Sequence, residues 1–214
     1  MLSNKKNIIL VGGGGHCKSC IEIINSTGKY HIAGILDLPS ELGKKILGVK
    51  VIGNDDDYSK FHEQENVFFI TVGQIKNAEL RKRIFQNLKA IRAKIETIIA
   101  PTAYVSETAK IGEGSIVMHK TFINNGVNIG SNNIINTGAI LEHDVLIGNH
   151  NHISTGAIIN GDSSIGNENF IGSGANISNN IKIGNQTVIG SGSVIIRNIN
   201  KTGVYVGNPV RKID

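Results

Sequence analysis

The chain has no tryptophan, only 3 prolines and 2 cysteines, and aromatic residues fill 5% of its 214 positions. A core made from this composition is aliphatic, and the aromatic platforms on which single-stranded nucleic acid stacks are scarce. Cys17 and Cys20 are too few for a disulfide framework, and the expected setting is the cytoplasm. No apolar run approaches the ~18 residues of a membrane span. Residues 8–11, Ile-Ile-Leu-Val, are too short for a signal-peptide core and read as a first strand. Charged residues are 18% of the chain, which argues against a disordered polyelectrolyte. Glycine is plentiful, at 26 residues, but follows no collagen triplet.

The net charge of +5 is unevenly placed: residues 1–97 hold 15 Lys/Arg against 10 Asp/Glu, and residues 98–214 hold 7 of each. A modest excess in the first half suits a phosphate-bearing small molecule, although the same residues also solvate helix faces. No basic run exceeds Arg81-Lys82-Arg83, so nucleic acid is not an expected partner.

The second half is a repeat. Every sixth residue from Ile99 to Ile195, seventeen in succession, is Ile, Val or Leu. The next position is often glycine, as at Gly112, Gly130, Gly148, Gly166, Gly172, Gly184 and Gly190. A six-residue unit is a short strand and a tight corner. Three units make one triangular coil of 18 residues, whose strands pair with those of the next coil at ~4.8 Å. The aliphatic side chain fills the interior, and Gly with the 18 Asn of residues 98–214 supplies positive φ at the corners. No insertion breaks the register, so catalytic parts belong on the faces or edges of the prism.

The first half reads as strand (7–11), glycine turn (Gly12, Gly13, Gly14, Gly15), helix (16–26), strand (31–37), strand (67–72), helix (77–89) and a last strand (95–99). The turn nearly matches G-x-G-x-x-G, with Cys17 at the third glycine. Such turns aim backbone N–H groups at a phosphate, and an acid ending the second strand, here Asp37, meets a ribose or base. This predicts a half-Rossmann α/β domain of three or four parallel strands over residues 1–97, followed by a β-helix over 98–214.

Two features together carry a resemblance. Gly-Gly-Gly-Gly-His at 12–16 is joined to a hexapeptide prism bearing Glu142-His143-Asp144, and the ending Gly207-Asn208-Pro209-Val210-Arg211 is similar to that of many hexapeptide enzymes. The chain resembles the bacterial sugar O/N-acetyltransferases of the hexapeptide-repeat, left-handed β-helix acyltransferases, which include sialic-acid O-acetyltransferases and UDP-N-acetylbacillosamine-type N-acetyltransferases. The resemblance implies an acetyl-CoA-dependent enzyme, a homotrimer with sites between prisms, and no metal. It implies N-acetylation of a nucleotide-linked deoxy-amino sugar in surface-glycan or protein-glycan biosynthesis. O-acetylation of a sialic or related nonulosonic acid is the alternative. A non-catalytic β-helix assembly or ligand-sensing module is the reading from another class.

Histidine is the natural base near neutral pH. His143 takes the outward third position of its hexapeptide, with Asn125 and Gly161 one coil below and above. The resemblance makes His143 the base and Asp144 the residue that orients it, with Glu142 the other candidate. It places the acetyl group or cofactor against His152 and Asn136. A backbone amide near Gly161 would meet the oxyanion, and pantetheine would run past Ser173, Gly174 and Ser191 toward Pro209 and Arg211. The sugar nucleotide falls to Gly12–Gly15, His16, Asp37 and Gly73. Many relatives have two acids after the second strand where this chain has Asp37-Leu38, so the base stays open. His119 and His150 read as surface residues. A metal set of His150, His152 and Asp144 lacks a further ligand at suitable spacing. Cys17-x-x-Cys20 matches a redox motif only in spelling, and core packing is favoured for it.

Overall fold

The computed structural model describes residues 5–75 and 77–213. The chain forms two compact units, one from residues 1–73 and 79–98, the other from 74–78 and 99–214.

The first unit is built from β1 (Lys6–Val11), α1 (Gly15–Thr27), β2 (Tyr30–Leu36), β3 (Lys45–Ile46), β4 (Val49–Gly53), α2 (Tyr58–Glu63), β5 (Val67–Ile70) and α3 (Glu79–Ala90). The sheet order is β3-β4-β2-β1-β5. β1 is parallel to both β2 and β5, and β4 is parallel to β2. Ile8–Leu10 and Phe68–Ile70 are wholly buried, as expected of central parallel strands covered on both faces. Ile9, Val11, Leu36, Phe68, Ile70 and Leu88 belong to one core on one side of this sheet.

The sheet therefore has five strands, not three or four. The missed pair is the antiparallel hairpin β3–β4. Its turn is tightened by Leu47 (φ 46°) and Gly48 (φ 83°), and the Leu-Gly pair between short alternating runs was its sequence signal. Helix α2 was also missed. It follows a 3₁₀ turn in which Asn54 Oδ1 accepts from the Asp56 amide (2.8 Å) and Asp57 Oδ2 from the Asn54 amide (3.0 Å). β5 ends at Ile70, before the expected Val72, and the next residue, Thr71, donates its amide to Val11 O (2.8 Å). Residues 95–99 are not one strand: Ile95 makes a single bridge to Phe68, and only Ile98–Ile99 is extended in a ladder.

The second unit is a left-handed β-helix. Nearly all its rungs are two residues long and recur every six residues, giving three parallel sheets. One face carries the rungs at 104–105, 122–123, 140–141, 158–159, 176–177 and 194–195; the next those at 110–111, 128–129, 146–147, 164–165 and 182–183; the third those at 116–117, 134–135, 152–153 and 170–171. The hexad aliphatics from Val117 to Ile195 are buried. Val105 and Ile111 are half-buried and Ile99 is 40% exposed, because the stack begins there. Inside one corner runs a buried asparagine ladder. Asn133 Oδ1 accepts from the Asn151 amide (2.7 Å), Asn151 Oδ1 from the Asn169 amide (2.8 Å), and Asn169 Oδ1 from the Thr187 amide (2.8 Å).

The glycines after the hexad aliphatics serve a different purpose from the one expected. None of Gly112, Gly130, Gly148, Gly166, Gly172, Gly184 and Gly190 has positive φ. A Cβ at Gly148 would collide with the backbone of Gly166 in the coil above, so close coil-to-coil approach demands glycine there. Positive φ falls at other corner positions, including Gly126, Asn132, Gly138, Asp144, Asp162 and Gly174.

Candidate functional site

In the first unit, β1 delivers the four glycines to the N-terminus of α1. Gly12 has φ 101° and no room for a Cβ beside Val72. Its amide donates to Leu36 O (2.8 Å), and Thr71 Oγ1 donates to the carbonyls of Val11 and Gly12. Asp37 has an internal duty: its Oδ2 accepts from the Gly13 amide (2.9 Å) and its Oδ1 from the Leu38 amide (2.8 Å). The Gly13 amide is therefore engaged, which narrows the expected row of phosphate-facing donors. The amides of Gly14 and Gly15 have no partner among the described residues, and both glycines are exposed with open space around them. Gly73 lies against His16, so the two ends of the expected substrate set meet.

A cavity of about 370 Å³ opens beside this turn, lined by Gly12, Asp37, Asn54, Asp56, Arg83 and Ile84 among others. Asn54, Asp55, Asp56 and Arg83 are lining residues that sequence reasoning missed; the Asn-Asp-Asp-Asp run after Gly53 was the available signal. Beneath the turn, the buried Arg81 guanidinium donates to Ile70 O (2.6 Å) and Val72 O (2.9 Å), fixing the end of β5. Burial lowers its pKa to about 10, so it stays charged at neutral pH. Cys17 and Cys20 are both buried thiols. Burial pushes Cys17 up to about 11 and Cys20 higher still. Such thiols pack and do not exchange disulfides at neutral pH.

In the second unit the predicted residues fall on two corners. His143 and Asp144 stand at the corner that leaves the 140–141 rung, both exposed. His143 Nδ1 lies 3.1 Å from Asp144 Oδ2. A carboxylate only accepts, so Nδ1 carries the proton and Nε2 is the basic nitrogen. The ring lies over Gly161, where a Cβ would overlap Nε2 and Cε1. The Gly161 amide has no partner among the described residues. Glu142 is turned away and accepts from Asn124 Nδ2 (2.8 Å). Of the two acids beside His143, it is Asp144 that holds the ring.

The other corner precedes the same face. It carries Asn136 and, two and three coils further on, Ser173 with Gly174 and then Ser191. Ser173 Oγ is 2.9 Å from Ser154 Oγ, and the Gly174 amide donates to Thr155 O (2.9 Å). His152 is only 7% exposed. Its Nδ1 donates to Gln74 O (2.6 Å), and Nε2 accepts from Asn136 Nδ2 (3.1 Å). Gln74 was not foreseen; its Nε2 donates to His150 O (2.9 Å) and Asn169 O (3.2 Å). His119 and His150 are not simply solvated. Both are half-buried, with Nδ1 at 2.7 Å from Thr102 Oγ1 and 2.9 Å from Asn132 Nδ2 respectively. The grouping of ligand-type atoms differs from the set weighed in the sequence: His143, Asp144 and Asp162 place such atoms within 4.8 Å of one another. Asp162 is one coil, 18 residues, beyond Asp144, a step that was readable from the repeat.

Residues 7–88 match the family model described as the PglD N-terminal domain, and residues 162–197 match the bacterial transferase hexapeptide model of six repeats. The UDP-N-acetylbacillosamine N-acetyltransferase of Bacillus subtilis (strain 168) is 34% identical over 117 residues, 53% of this chain; the chain spans about half of that relative, 51%. The acetyltransferase domain of PglB from Neisseria gonorrhoeae FA1090 superposes with a TM-score of 0.91 at 30% identity, covering 98% of this chain and 100% of that one. That domain has also been solved with acetyl coenzyme A. PerB from Caulobacter crescentus, solved with CoA and GDP-perosamine, superposes with a TM-score of 0.90 at 30% identity over 97% of each chain. Both halves of the sequence are thus matched, the glycine-turn domain by one family model and the repeat by the other, and the full-length superpositions join them in the same order. The chain belongs to the bacterial sugar O/N-acetyltransferase family of hexapeptide-repeat acyltransferases.

Proposed function

We propose that the protein transfers the acetyl group of acetyl-CoA to the amino group of a nucleotide-linked deoxy-amino sugar. The observation that carries this reading is the His143 site: a basic Nε2, an Asp144-held Nδ1, and the unpaired Gly161 amide beside the ring. The amine nitrogen attacks the thioester carbonyl while His143 Nε2 takes its proton. Asp144 accepts from Nδ1 throughout and steadies the imidazolium. The Gly161 N–H is the donor available to the developing oxyanion. Collapse expels the CoA thiolate, which takes the proton from His143. In the first unit, the Gly14 and Gly15 amides at the start of α1 serve the diphosphate, and the cavity bordered by Asp37 and Arg83 serves the nucleoside.

The two predicted corners flank one prism face, so within one chain they stand on opposite edges of it. That face presents Tyr104, Phe122, Ile140, Ile158, Asn176 and Val194 outward, apolar but for Asn176, with Tyr104 and Phe122 stacked at 4.8 Å and partly exposed. Apolar rungs on a flat face suit burial against another copy. A homotrimer packed through this face sets the His143 edge of one prism against the Ser173 edge of its neighbour, which completes the site. Among the described residues no helix is long and apolar enough to cross a membrane, and use of acetyl-CoA fits a cytoplasmic enzyme.

The test is thiol release from acetyl-CoA against a panel of UDP-, dTDP- and GDP-linked amino sugars. One of them should be turned over, and His143→Ala should lower kcat by roughly 10²–10⁴-fold while acetyl-CoA still binds. No turnover with any of them, or an unaffected His143→Ala variant, defeats the reading. Light scattering should return three times 22.9 kDa, and Phe122→Asp should dissociate the particle.

A further inference from the structure

Gln74 takes no part in the mechanism above, yet both its backbone and its side chain are tied to the corner that holds His152. It belongs to the short stretch, residues 74–78, that groups with the prism, and it is only 3% exposed. Its Nε2 donates to His150 O (2.9 Å) and Asn169 O (3.2 Å), while its carbonyl accepts from His152 Nδ1 (2.6 Å). Asn169 O also accepts from the His152 amide (2.9 Å), so the anchor of Gln74 and the backbone of His152 are fixed to the same atom. Asn169 is itself a member of the buried asparagine ladder, which makes that atom a stiff reference point. Gln74 Oε1, by contrast, is buried with no hydrogen-bond partner. An unsatisfied buried acceptor is a cost that an apolar side chain of the same length does not carry. Filling space therefore does not explain a glutamine here; its two donated bonds do.

The bonds continue past the imidazole. With its proton on Nδ1, His152 offers Nε2 as an acceptor, and Asn136 Nδ2 donates to it (3.1 Å). Asn136 is held the right way round, because its Oδ1 accepts from the Thr137 amide (2.7 Å). Phe170 meets the imidazole edge to face, with ring centroids 5.2 Å apart. The second N–H of Asn136 Nδ2 has no partner among the described residues, and Asn136 is half-buried on the Ser173 edge. We infer that Gln74 is a positioning residue for acetyl transfer: it holds His152 in the Nδ1–H tautomer and so orients the Asn136 carboxamide, whose second N–H is left to donate to a ligand. This rests on the acetyl-transfer reading and adds to it a residue outside both predicted corners. A proton on Nε2 instead would set two N–H donors against each other across 3.1 Å, and the Asn136 amide would swing away from the ring.

The test reads the tautomer directly, by nitrogen-15 NMR of the histidine rings in the parent and in Gln74→Met. Methionine has the same length and leaves the backbone carbonyl in place, but it has no N–H with which to anchor it. In the parent, His152 Nδ1 should give a pyrrole-type signal and Nε2 a pyridine-type signal. In Gln74→Met both signals should move toward the average of the two tautomers, while those of His143 stay where they were. Thiol release on the same samples should show kcat lowered roughly ten- to a hundredfold, up to the cost of a misplacement of about 1 Å. KM for the sugar nucleotide should stay within about twofold, since no ground-state contact to it is removed. A lowered kcat with the His152 signals unmoved makes Gln74 a structural support only and overturns the inference, as does a kcat within about threefold of the parent. If Gln74→Met does not fold, the parent spectrum still decides, because a proton on His152 Nε2 overturns the inference and one on Nδ1 upholds it. Turnover by a parent with its proton on Nε2 defeats the role of Gln74 alone, whereas no turnover with the proton on Nδ1 defeats the acetyl-transfer reading.

Discussion

Gly161→Ala isolates the geometry of the proposed base without touching the base itself. Gly161 is buried and its backbone does not need positive φ, so alanine is permitted at the main chain. The new methyl would overlap Nε2, Cε1 and Cδ2 of His143. The three atoms nearest the new methyl all belong to the His143 ring, whose side chain is 47% exposed and is free to move outward. The ring yields and the coil does not. Displacing the ring breaks its 3.1 Å contact with Asp144 and carries Nε2 away from the Gly161 amide. A misplacement of about 1 Å in a reacting group costs on the order of 10²-fold, so kcat should fall by about that factor. Thermal stability should hold or rise slightly, since replacing Gly by Ala in an allowed conformation typically contributes about 0.4–1 kcal/mol. Steady-state kinetics by thiol release, with a melting curve on the same sample, reads both quantities. Activity within about threefold of the parent, against the 10²-fold cost of misplacement, refutes the placement of the base over Gly161.

Gly13→Val should raise KM for the sugar nucleotide and leave acetyl-CoA affinity unchanged, because a Cβ there strikes the Asp37 carboxylate and Ile46. Parallel loss of both affinities in titrations would show that the glycine turn does not serve the nucleotide. Asn151→Ala leaves the buried Asn169 amide without its 2.8 Å acceptor; an orphaned donor costs about 1–3 kcal/mol, so at about 2–4 °C per kcal/mol for a chain of this size the melting temperature should drop by roughly 2–12 °C, and an unchanged melt would mean that the ladder is dispensable. Burial raises the Glu96 carboxyl, but the Tyr30 hydroxyl (2.8 Å) and the Lys6 and Lys94 ammonium groups outweigh it and hold it below the usual range. A depressed carboxyl contributes stability above its unfolded pKa and loses it as pH falls through the folded value. Denaturation of the parent should therefore steepen below the ordinary glutamate range, and Glu96→Gln should be less stable at pH 7 with a flatter acid limb; parallel pH profiles would contradict this.

The prism was legible because its rule is local and repeated. One aliphatic every six residues, seventeen times, leaves a single way to bury them. The coil step of 18 also sets Gly161 above His143 and Asn125 below it, and the same step from Asp144 leads to Asp162. The glycine turn and α1 were readable for a similar reason, since strand, turn and helix are consecutive in the chain. The hairpin β3–β4 and α2 were not, because two-residue strands and a six-residue helix carry too few positions for a period to emerge.

Sequence alone determined the fold class and the glycine turn, since each follows from residue type and spacing, while the proposal of His143 as base rests on the family resemblance of Glu142-His143-Asp144. Only the tertiary structure decided which partners the polar groups take. Asp37 spends its oxygens on the Gly13 and Leu38 amides, Glu142 turns to Asn124, Asp144 takes the imidazole, and His152 is tied to Gln74, 78 residues away in sequence. Hydrogen bonds are short-ranged and directional, so their pairing is set by where the folded backbone brings each atom, and no spacing along the chain encodes that.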